Sequence, residues 1–388
     1  MEETENRINE AFARLDNYCK AQQYKGWDLF DGLNSRFFNL TPFSKSRFFR
    51  LAWIQAFKRS PINLRALTGV PKDYNPKGLA LFASGLLSLG RIDEASELLT
   101  RLLSMVSPGQ GTSCWGYNFP WEARAFYVPA GKPNMITTVF VAASLIQGYK
   151  QTGTERWLHA ARSACDFILR ELILQEDKET ICFGYIPGES ARVHNANLLG
   201  AMLLGKIYQI TGEEQLREKS AKSVNYSMKA LDENGFWPYG ERSHHHFIDN
   251  FHTGFNLVAM LDWMDATGDS AWESKVRLAM DAFAGTFWLP DGCPKYYHNR
   301  LYPIDIHCSA QGIVTFLKFS RFKPSYLEDV GKVAVWAIDN MQERSGYFYY
   351  QKTKYFTNRI PYIRWAQAWM FYALALFSAK NGSDGNGT

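Results

Sequence analysis

Residues 194–231 read HNANLLGAMLLGKIYQITGEEQLREKSAKSVNYSMKAL, and this stretch decides the fold class. Apolar residues recur at three- and four-residue spacing on both sides of Thr211-Gly212, a pattern that is typical of two amphipathic helices. A glycine directly after a helical pattern is a common helix stop. The stretch therefore predicts a helical hairpin, with one helix over residues 196–210 and a second over residues 213–231.

The same arrangement recurs along the chain. Further helix pairs separated by a glycine are predicted over residues 78–89 and 92–105, 139–149 and 156–174, and 257–266 and 272–287. An aromatic turn precedes the first helix of each hairpin. From the pair at residues 139–174 onward, the polar starts of these first helices lie near Asn134, His194, Asn250, Asp305 and Pro361. These starts are 60, 56, 55 and 56 residues apart, whereas tetratricopeptide and armadillo repeats are only ~34–47 residues long.

Units of this length favour a closed ring of helical hairpins. With helices at residues 8–23 and 44–58 included, about six hairpins are predicted, which gives an all-α (α/α)6 toroid with inner helices around a funnel. Strand signals are weak, so we expect only short β-hairpin loops at one mouth of the toroid. We expect residues 1–380 to form a single domain and residues 381–388 to be a disordered tail.

Composition excludes several classes of protein. Hydrophobic residues make up 46% and charged residues 21%, which is incompatible with a disordered or collagen-like chain. The net charge of +5 comes from 43 Lys and Arg against 38 Asp and Glu, which is too little to indicate a nucleic-acid partner. No apolar run reaches the ~18–20 residues of a membrane span. The first twenty residues are charged throughout, so we expect no signal peptide and a cytoplasmic protein.

Neither a cofactor nor a metal is expected. The sequence has no phosphate-binding glycine loop and no Cys-x-x-Cys pair. The run His244-His-His246 lies in a loop without a carboxylate or cysteine at ligand spacing, and we interpret it as exposed surface.

Two helix starts combine an acid with a histidine. Asp249 precedes His252 by three residues, and Asp305 precedes His307 by two. Asp is an ordinary N-cap residue, but capping does not account for the two histidines. The inner helices of a toroid begin at one mouth, so we expect Asp305, Asp249, His307 and His252 to meet there as catalytic candidates.

Other polar and aromatic residues near the helix starts and in the preceding loops are candidates for substrate binding. At 15%, aromatic residues exceed what a core of this size needs, and sugar rings stack on aromatic faces. The substrate-binding candidates are Asp28, Asp31, Trp121, Glu122, Arg124, His194, Asn195, Asn197, Tyr297, Tyr302, Arg364 and Trp365. For the carboxylates and the Glu122/Arg124 pair, a structural turn or ion pair is an equal alternative.

Five motifs together resemble a known family. They are Tyr24-x-Gly-x-Asp28-x-x-Asp31, Trp121-Glu122-x-Arg124, His194-Asn195-Ala-Asn197-Leu-Leu-Gly200, Asp249-Asn250-Phe-His252-Thr-Gly254 and Tyr302-Pro-Ile-Asp305-Ile-His307. Their combination is similar to exopolysaccharide-biosynthesis proteins of the VpsJ-like type. More distantly, the architecture resembles six-hairpin glycosidases and the catalytic domain of glucuronyl C5-epimerases. The resemblance implies a role in bacterial polysaccharide production, with polysaccharide-assembly proteins as partners.

The chemistry leaves several functions open. Glycoside hydrolysis needs two carboxylates, and the sequence offers enough of them, so hydrolysis of a polysaccharide or oligosaccharide is our first expectation. A uronic-acid C5-epimerase or lyase would instead use a Tyr, His or Glu base beside a neutralising Arg. A glycan-binding or assembly protein without catalysis is the alternative of another class, and a structural helical-repeat protein is a third.

Overall fold

The computed structural model describes residues 2–122 and 127–384. The α-helices within these ranges are α1 (Glu2–Ala21), α2 (Arg36–Asn39), α3 (Arg47–Arg59), α4 (Pro76–Ser88), α5 (Ile92–Ser104), α6 (Met135–Thr152), α7 (Glu155–Glu171), α8 (His194–Thr211), α9 (Glu214–Met228), α10 (Asn250–Thr267), α11 (Glu273–Thr286), α12 (Ile306–Phe319), α13 (Tyr326–Met341) and α14 (Ala368–Asp384). A π-helical turn, Ile363–Gln367, leads into α14.

The strands are short and form small antiparallel sheets. They are β1 (Trp121–Glu122), β2 (Tyr127–Val128), β3 (Ile173–Glu176), β4 (Ile181–Phe183), β5 (Ile304–Asp305), β6 (Gln351–Lys352) and β7 (Thr357–Asn358). The pairs are β1 with β2, β3 with β4, and β6 with both β5 and β7. They lie in the loops that precede inner helices, as the sequence predicts.

Six helices form a closed inner ring. In the order α4, α6, α8, α10, α12 and α14, each packs against the next, and α14 packs against α4. An outer helix lies beside each of them, and the sixth outer helix is α1, which packs against α13 and α14. The (α/α)6 toroid is thereby confirmed, and its last hairpin joins the two ends of the chain.

Residue patterns account for the two layers. The outer helix α5 buries Ala95, Leu98, Leu99 and Leu102, which form one stripe at three- and four-residue spacing. The inner helix α8 instead buries 13 of its 18 residues, because it is covered by neighbours on almost every side. Helices α6, α8 and α10 end at Gly153, Gly212 and Gly268, whose φ angles of 70°, 73° and 71° lie in the left-handed region that glycine adopts without strain.

One predicted hairpin member lies outside the ring. The helix expected over residues 44–58 forms as α3, but it packs against the turn at residues 31–34 and against β1. It buries only Ile54 and Phe57, so its apolar stripe is too narrow to fit between two helical layers. The segment that contains α3 therefore lies over the end of the ring where the inner helices begin, which we call the N-terminal mouth.

The division into one domain over residues 1–380 and a disordered tail stays a prediction. Helix α14 extends to Asp384, and residues 385–388 of the predicted tail lie outside the described residues. Among the helices of the described ranges, none combines the length and the apolar character that a membrane crossing requires.

Candidate functional site

The N-terminal mouth is built from capped helix starts. Asn75, Asn134, Asp249 and Asp305 each accept a hydrogen bond from a backbone N–H in the first turn of α4, α6, α10 and α12, respectively. The positive ends of these helix dipoles therefore converge on one region. Asp249 and Asp305 are therefore N-caps, as the sequence predicts.

Asp249 holds His252. Its Oδ1 accepts the backbone N–H of His252 at 2.9 Å, and its Oδ2 lies 2.7 Å from Nδ1 of the same residue. The His252 ring also lies 4.5 Å from the ring of Tyr239. Its side chain is 21% exposed, whereas that of Asp249 is 1% exposed. The carboxylate thus fixes the orientation of the imidazole, with Nδ1 directed to Asp249.

Asp305 is fully buried and its oxygens have donors. Oδ1 accepts the backbone N–H of His307 at 3.0 Å and the indole N–H of Trp365 at 3.0 Å. Oδ2 accepts the amide N–H of Gln351 at 3.1 Å. Burial raises the pKa of Asp305 to about 6, and these hydrogen bonds act in the opposite direction. The side chain therefore changes charge close to neutral pH.

His307 lies in an aromatic enclosure. Its ring centroid is 4.7 Å from those of both Trp365 and Trp369 and 4.8 Å from that of Phe251. Neither ring nitrogen has a hydrogen-bond partner among the described residues. Burial, followed by the positive charge of Lys77, lowers the pKa of His307 well below its usual value, so the ring is neutral.

The two histidines share a neighbour. The Phe251 ring lies 4.2 Å from the ring of His252 and 4.8 Å from that of His307. The predicted meeting of the two acid and histidine motifs thus has a geometric basis, with one imidazole paired to a carboxylate and the other unpaired.

Lys77 is a component that the sequence reasoning missed. It lies in the first turn of α4, and its Nζ is 4.3 Å from the Phe140 ring centroid and 5.1 Å from that of Trp369. Burial and the charge of Arg364 lower its pKa well below the usual value, while Asp28 acts in the opposite direction. The motif Asn75-Pro-Lys77 begins the first inner helix, so the repeat pattern itself contained the signal.

Arg364 and Asp28 form a buried bidentate pair. Nε and Nη2 of Arg364 each lie 2.7 Å from a carboxylate oxygen of Asp28, and both side chains are 3% exposed. The guanidinium lies 4.9 Å from the ring centroid of Tyr117, whose hydroxyl is 3.0 Å from that of Tyr185. These two substrate-binding candidates therefore neutralise each other at the rim of the site.

Asp31 is a structural partner of the same segment. It accepts a hydrogen bond at 2.6 Å from Arg65, which also donates to the hydroxyl of Tyr362 at 3.1 Å. The backbone N–H of Asp28 donates to Asp31 Oδ2 at 2.8 Å. Asp31 thus fixes the loop that presents Asp28, and its carboxylate oxygens are taken up by this role.

Several predicted residues lie away from the two histidines. Glu122 of β1 pairs with Arg50 of α3 at 2.6 Å, beside the half-buried Trp121. Arg124 lies outside the described residues. On the rim, Tyr297 is half-buried with Arg300 at 4.2 Å from its ring centroid, and Tyr302 is 41% exposed.

The motif at the start of α8 faces the outer layer. The side-chain amide of Asn197 donates to the carbonyl of Ser223, and its Oδ1 accepts from the Phe183 N–H. His194 Nδ1 lies 3.2 Å from the hydroxyl of Ser227 on α9. These contacts connect α8 to α9 and β4, whereas the buried Oδ1 of Asn195 has no partner among the described residues.

A separate cavity of about 710 Å³ lies at the opposite end of the ring. Its rim includes Lys206 and Lys318, which lie 2.7 and 2.5 Å from Asp262. Phe255 and Trp369 line this cavity and also contact His307, so their rings form a floor between the two ends. The titratable groups that bear chemistry therefore lie on the other side of this floor from the cavity. No group of three or more His, Cys, Asp or Glu that suits a metal ion occurs in the described ranges.

Comparison with known proteins identifies the fold. No protein-family model and no curated protein matches the sequence. The structure is similar to a cellobiose 2-epimerase from Bacillus thermoamylovorans, with a TM-score of 0.63 at 14% identity over 81% of this chain and 90% of that chain. It is also similar to a GH76 α-mannanase from Bacteroides thetaiotaomicron, with a TM-score of 0.58 at 15% identity over 80% and 86%. A possible GH105 family member from Salmonella enterica gives 0.60 at 12% identity over 79% and 83%. These proteins share the toroid fold.

Proposed function

We propose that the chain is a carbohydrate-active enzyme that epimerises or isomerises a saccharide, with His307 and His252 as its acid–base pair. The observation that carries the proposal is the placement of two imidazoles around Phe251, one neutral and unpaired and the other held by Asp249. The carboxylates of Asp249 and Asp305 are helix N-caps, and both accept further hydrogen bonds. Their oxygens are therefore less available for the glycoside hydrolysis that uses two carboxylates.

The chemistry that suits this pair is proton transfer next to a carbonyl. A neutral His307 accepts the proton from the carbon, the electron pair of the C–H bond forms a carbon–carbon double bond, and the π pair of the carbonyl moves to its oxygen. His252, as an imidazolium paired with Asp249, then donates its Nε2 proton to the opposite face of the carbon as the carbonyl re-forms. The starts of α4, α6, α10 and α12 direct the positive ends of their helix dipoles to this mouth, and this positive potential would stabilise the developing oxyanion. No net oxidation occurs and no cofactor is required.

The substrate class follows from charge and from the rim. Arg364 is already neutralised by Asp28, so it is not available as the main partner of a uronate carboxylate. An uncharged sugar with a reducing end fits better, and the similarity to a cellobiose 2-epimerase supports this choice. On the rim, the exposed Tyr302 offers a ring face on which a sugar can stack.

Proton exchange with solvent is the direct test. The protein is incubated in deuterated water with cellobiose, and separately with oligosaccharides that contain a uronic acid, and deuterium at C2 or C5 is followed by NMR. His307→Gln and His252→Gln should each lower the exchange rate by about 100-fold or more. His159→Gln is the matched control, because its side chain is 78% exposed and lies away from the mouth. Unchanged exchange in both site variants would overturn the proposal.

Glycoside hydrolysis is a second candidate because the pKa of Asp305 is raised to about 6, as a general acid requires. Reducing ends are measured with polysaccharide and oligosaccharide substrates for the unaltered chain, Asp305→Asn and His307→Gln. Hydrolysis would be favoured over epimerisation if the release of reducing ends is lost in Asp305→Asn but kept in His307→Gln, and if the unaltered chain shows no deuterium exchange. Saccharide binding without either reaction would favour the non-catalytic alternative.

We also propose a setting in bacterial polysaccharide production, in the cytoplasm and beside polysaccharide-assembly proteins. The VpsJ-like motifs, among them Asp249-Asn250-Phe-His252, support this setting. Deleting the gene in its host and measuring exopolysaccharide tests it, with the His307→Gln chain as the complementation control. Unchanged exopolysaccharide yield and composition would contradict the biosynthetic role.

A further inference from the structure

The segment over the N-terminal mouth has an unusual charge distribution. Residues 32–72 contain eight Lys and Arg and no Asp or Glu. The other 347 residues contain 35 Lys and Arg and 38 Asp and Glu, a net charge of −3. The positive charge of the whole chain therefore comes from this one segment, although it is only 41 residues long.

The same segment exposes large apolar side chains. Its first half, from α2 through the first turn of α3, presents five of them, with exposed fractions of 61% for Phe37, 88% for Leu40, 49% for Phe43, 72% for Phe48 and 41% for Phe49. The rings of Phe43 and Phe49 lie 4.5 Å apart, and those of Phe48 and Phe49 lie 5.5 Å apart. We call these five residues, with the exposed cations around them, the basic aromatic face.

The cations of this face are available to a partner. Arg36 and Lys45 are exposed and take part in none of the ion pairs found among the described residues. Arg50 and the buried Arg65, in contrast, pair with Glu122 and Asp31 and hold the segment on the ring. Arg36 and Lys45 thus have no acidic partner among the described residues and can bind an external anion.

We propose that the basic aromatic face docks the protein on the surface of an anionic lipid bilayer. Exposed phenylalanine and leucine tips insert at the boundary of headgroups and acyl chains, and surrounding lysine and arginine bind anionic headgroups. An acidic polysaccharide would attract the cations, but it would leave Leu40 and Phe48 exposed to water. Side chains as exposed as these two project outward and do not line a groove of the kind that receives a peptide.

Docking would bring the site close to the bilayer. Helix α3 runs from Phe48 at the basic aromatic face to Lys58, whose Nζ lies 5.2 Å from the Phe30 ring centroid. Phe30 in turn lies 6.0 Å from the ring of Trp365 beside His307. Ten helical steps from Phe48 to Lys58 span about 15 Å, so the end of α3 that contacts the mouth lies within roughly that distance of the basic aromatic face. The inference is independent of the reaction that the site catalyses.

Vesicle sedimentation tests the proposal with the full chain. Vesicles of phosphatidylcholine alone, or with 30% phosphatidylglycerol in about 0.1 M salt, are the probes. We expect sedimentation with the anionic vesicles only, and weaker binding as salt rises. Leu40→Ser with Phe48→Ser, and separately Arg36→Gln with Lys45→Gln, should each weaken binding on the order of tenfold or more. Tyr355→Ser, at an 86% exposed aromatic outside the face, is the matched control and should bind like the unaltered chain.

Several results would overturn the inference. These are no sedimentation with anionic vesicles, equal binding to neutral vesicles, an equal loss in Tyr355→Ser, or retention on an acidic polysaccharide such as alginate without vesicle binding. Circular dichroism of each variant checks that the fold is intact, as expected for substitutions at exposed positions.

Discussion

Burial of His194 makes the stability of the toroid sensitive to acid. The side chain is 2% exposed, its Nδ1 contacts the Ser227 hydroxyl, and its Nε2 has no partner among the described residues. Burial lowers its pKa from 6.5 to about 4. The unfolded chain therefore binds a proton below pH 6.5 that the folded chain accepts only near pH 4, so stability is lost as the pH falls through this window.

The size of the loss follows from the shift. A difference of about 2.5 pKa units corresponds to about 3 kcal/mol, and most of it is lost by pH 4.5. His194→Gln keeps a polar side chain at the position but removes the titration. The stability advantage of the unaltered chain over this variant should therefore shrink by about 2–3 kcal/mol between pH 7.5 and pH 4.5.

Urea denaturation, followed by tryptophan fluorescence at each pH, measures this difference. Because the two chains differ at one position, the titrations of Asp305 and the other acids cancel in the comparison. His159→Gln, at a 78% exposed side chain, should give a difference that does not change with pH. A His194→Gln difference that stays constant within about 0.5 kcal/mol would refute the assignment of a buried, neutral imidazole.

Two further predictions concern packing and the buried ion pair. Arg364→Met leaves the Asp28 carboxylate unpaired and should lower the free energy of unfolding by about 3–5 kcal/mol. Adding Asp28→Leu removes the unpaired charge and should restore part of that loss. If the two losses are strictly additive in a double-mutant cycle, the pairing is contradicted. Gly312→Ala directs a Cβ into the Trp288 ring and should lower the free energy of unfolding by about 1–3 kcal/mol, as measured by thermal or urea denaturation. Gly285→Ala is the control, because its Cβ meets open space on α11, and it should leave stability unchanged or slightly higher. Equal effects of the two substitutions would refute the contact.

The periodic features of the fold could be predicted from the sequence. Glycine stops and apolar spacing gave the hairpins, because both reflect local backbone geometry and burial. The amphipathic pattern of α3 resembles that of an outer helix and therefore predicts a place in the ring, which is wrong. Its position over the mouth depends on contacts such as Arg50 with Glu122, which are 72 residues apart, and spacing within a helix carries no information about them.

The site could be predicted only in part, for a related reason. His194 with Asn197 and Asp249 with His252 are both pairs three residues apart at helix starts, and each pair shares one helix face. In the structure the first pair faces α9 and the second faces the mouth. The rotation of a helix about its axis decides between these outcomes, and it is set by packing against both neighbours.

The charges around the mouth restrict what the site can bind. Helix N-termini carry partial positive charge, which disfavours cations there. Burial lowers the pKa of both His307 and Lys77 well below their usual values, and Asp28 neutralises the buried guanidinium of Arg364. A permanently anionic ligand would have to compete with Asp28, Asp249 and Asp305 for the remaining positive potential. A neutral saccharide does not compete, and in the reaction that we propose it would carry negative charge only while its proton is on a histidine. In the proposed epimerisation, the arrangement therefore favours the transition state over the bound sugar, which is the condition for catalysis.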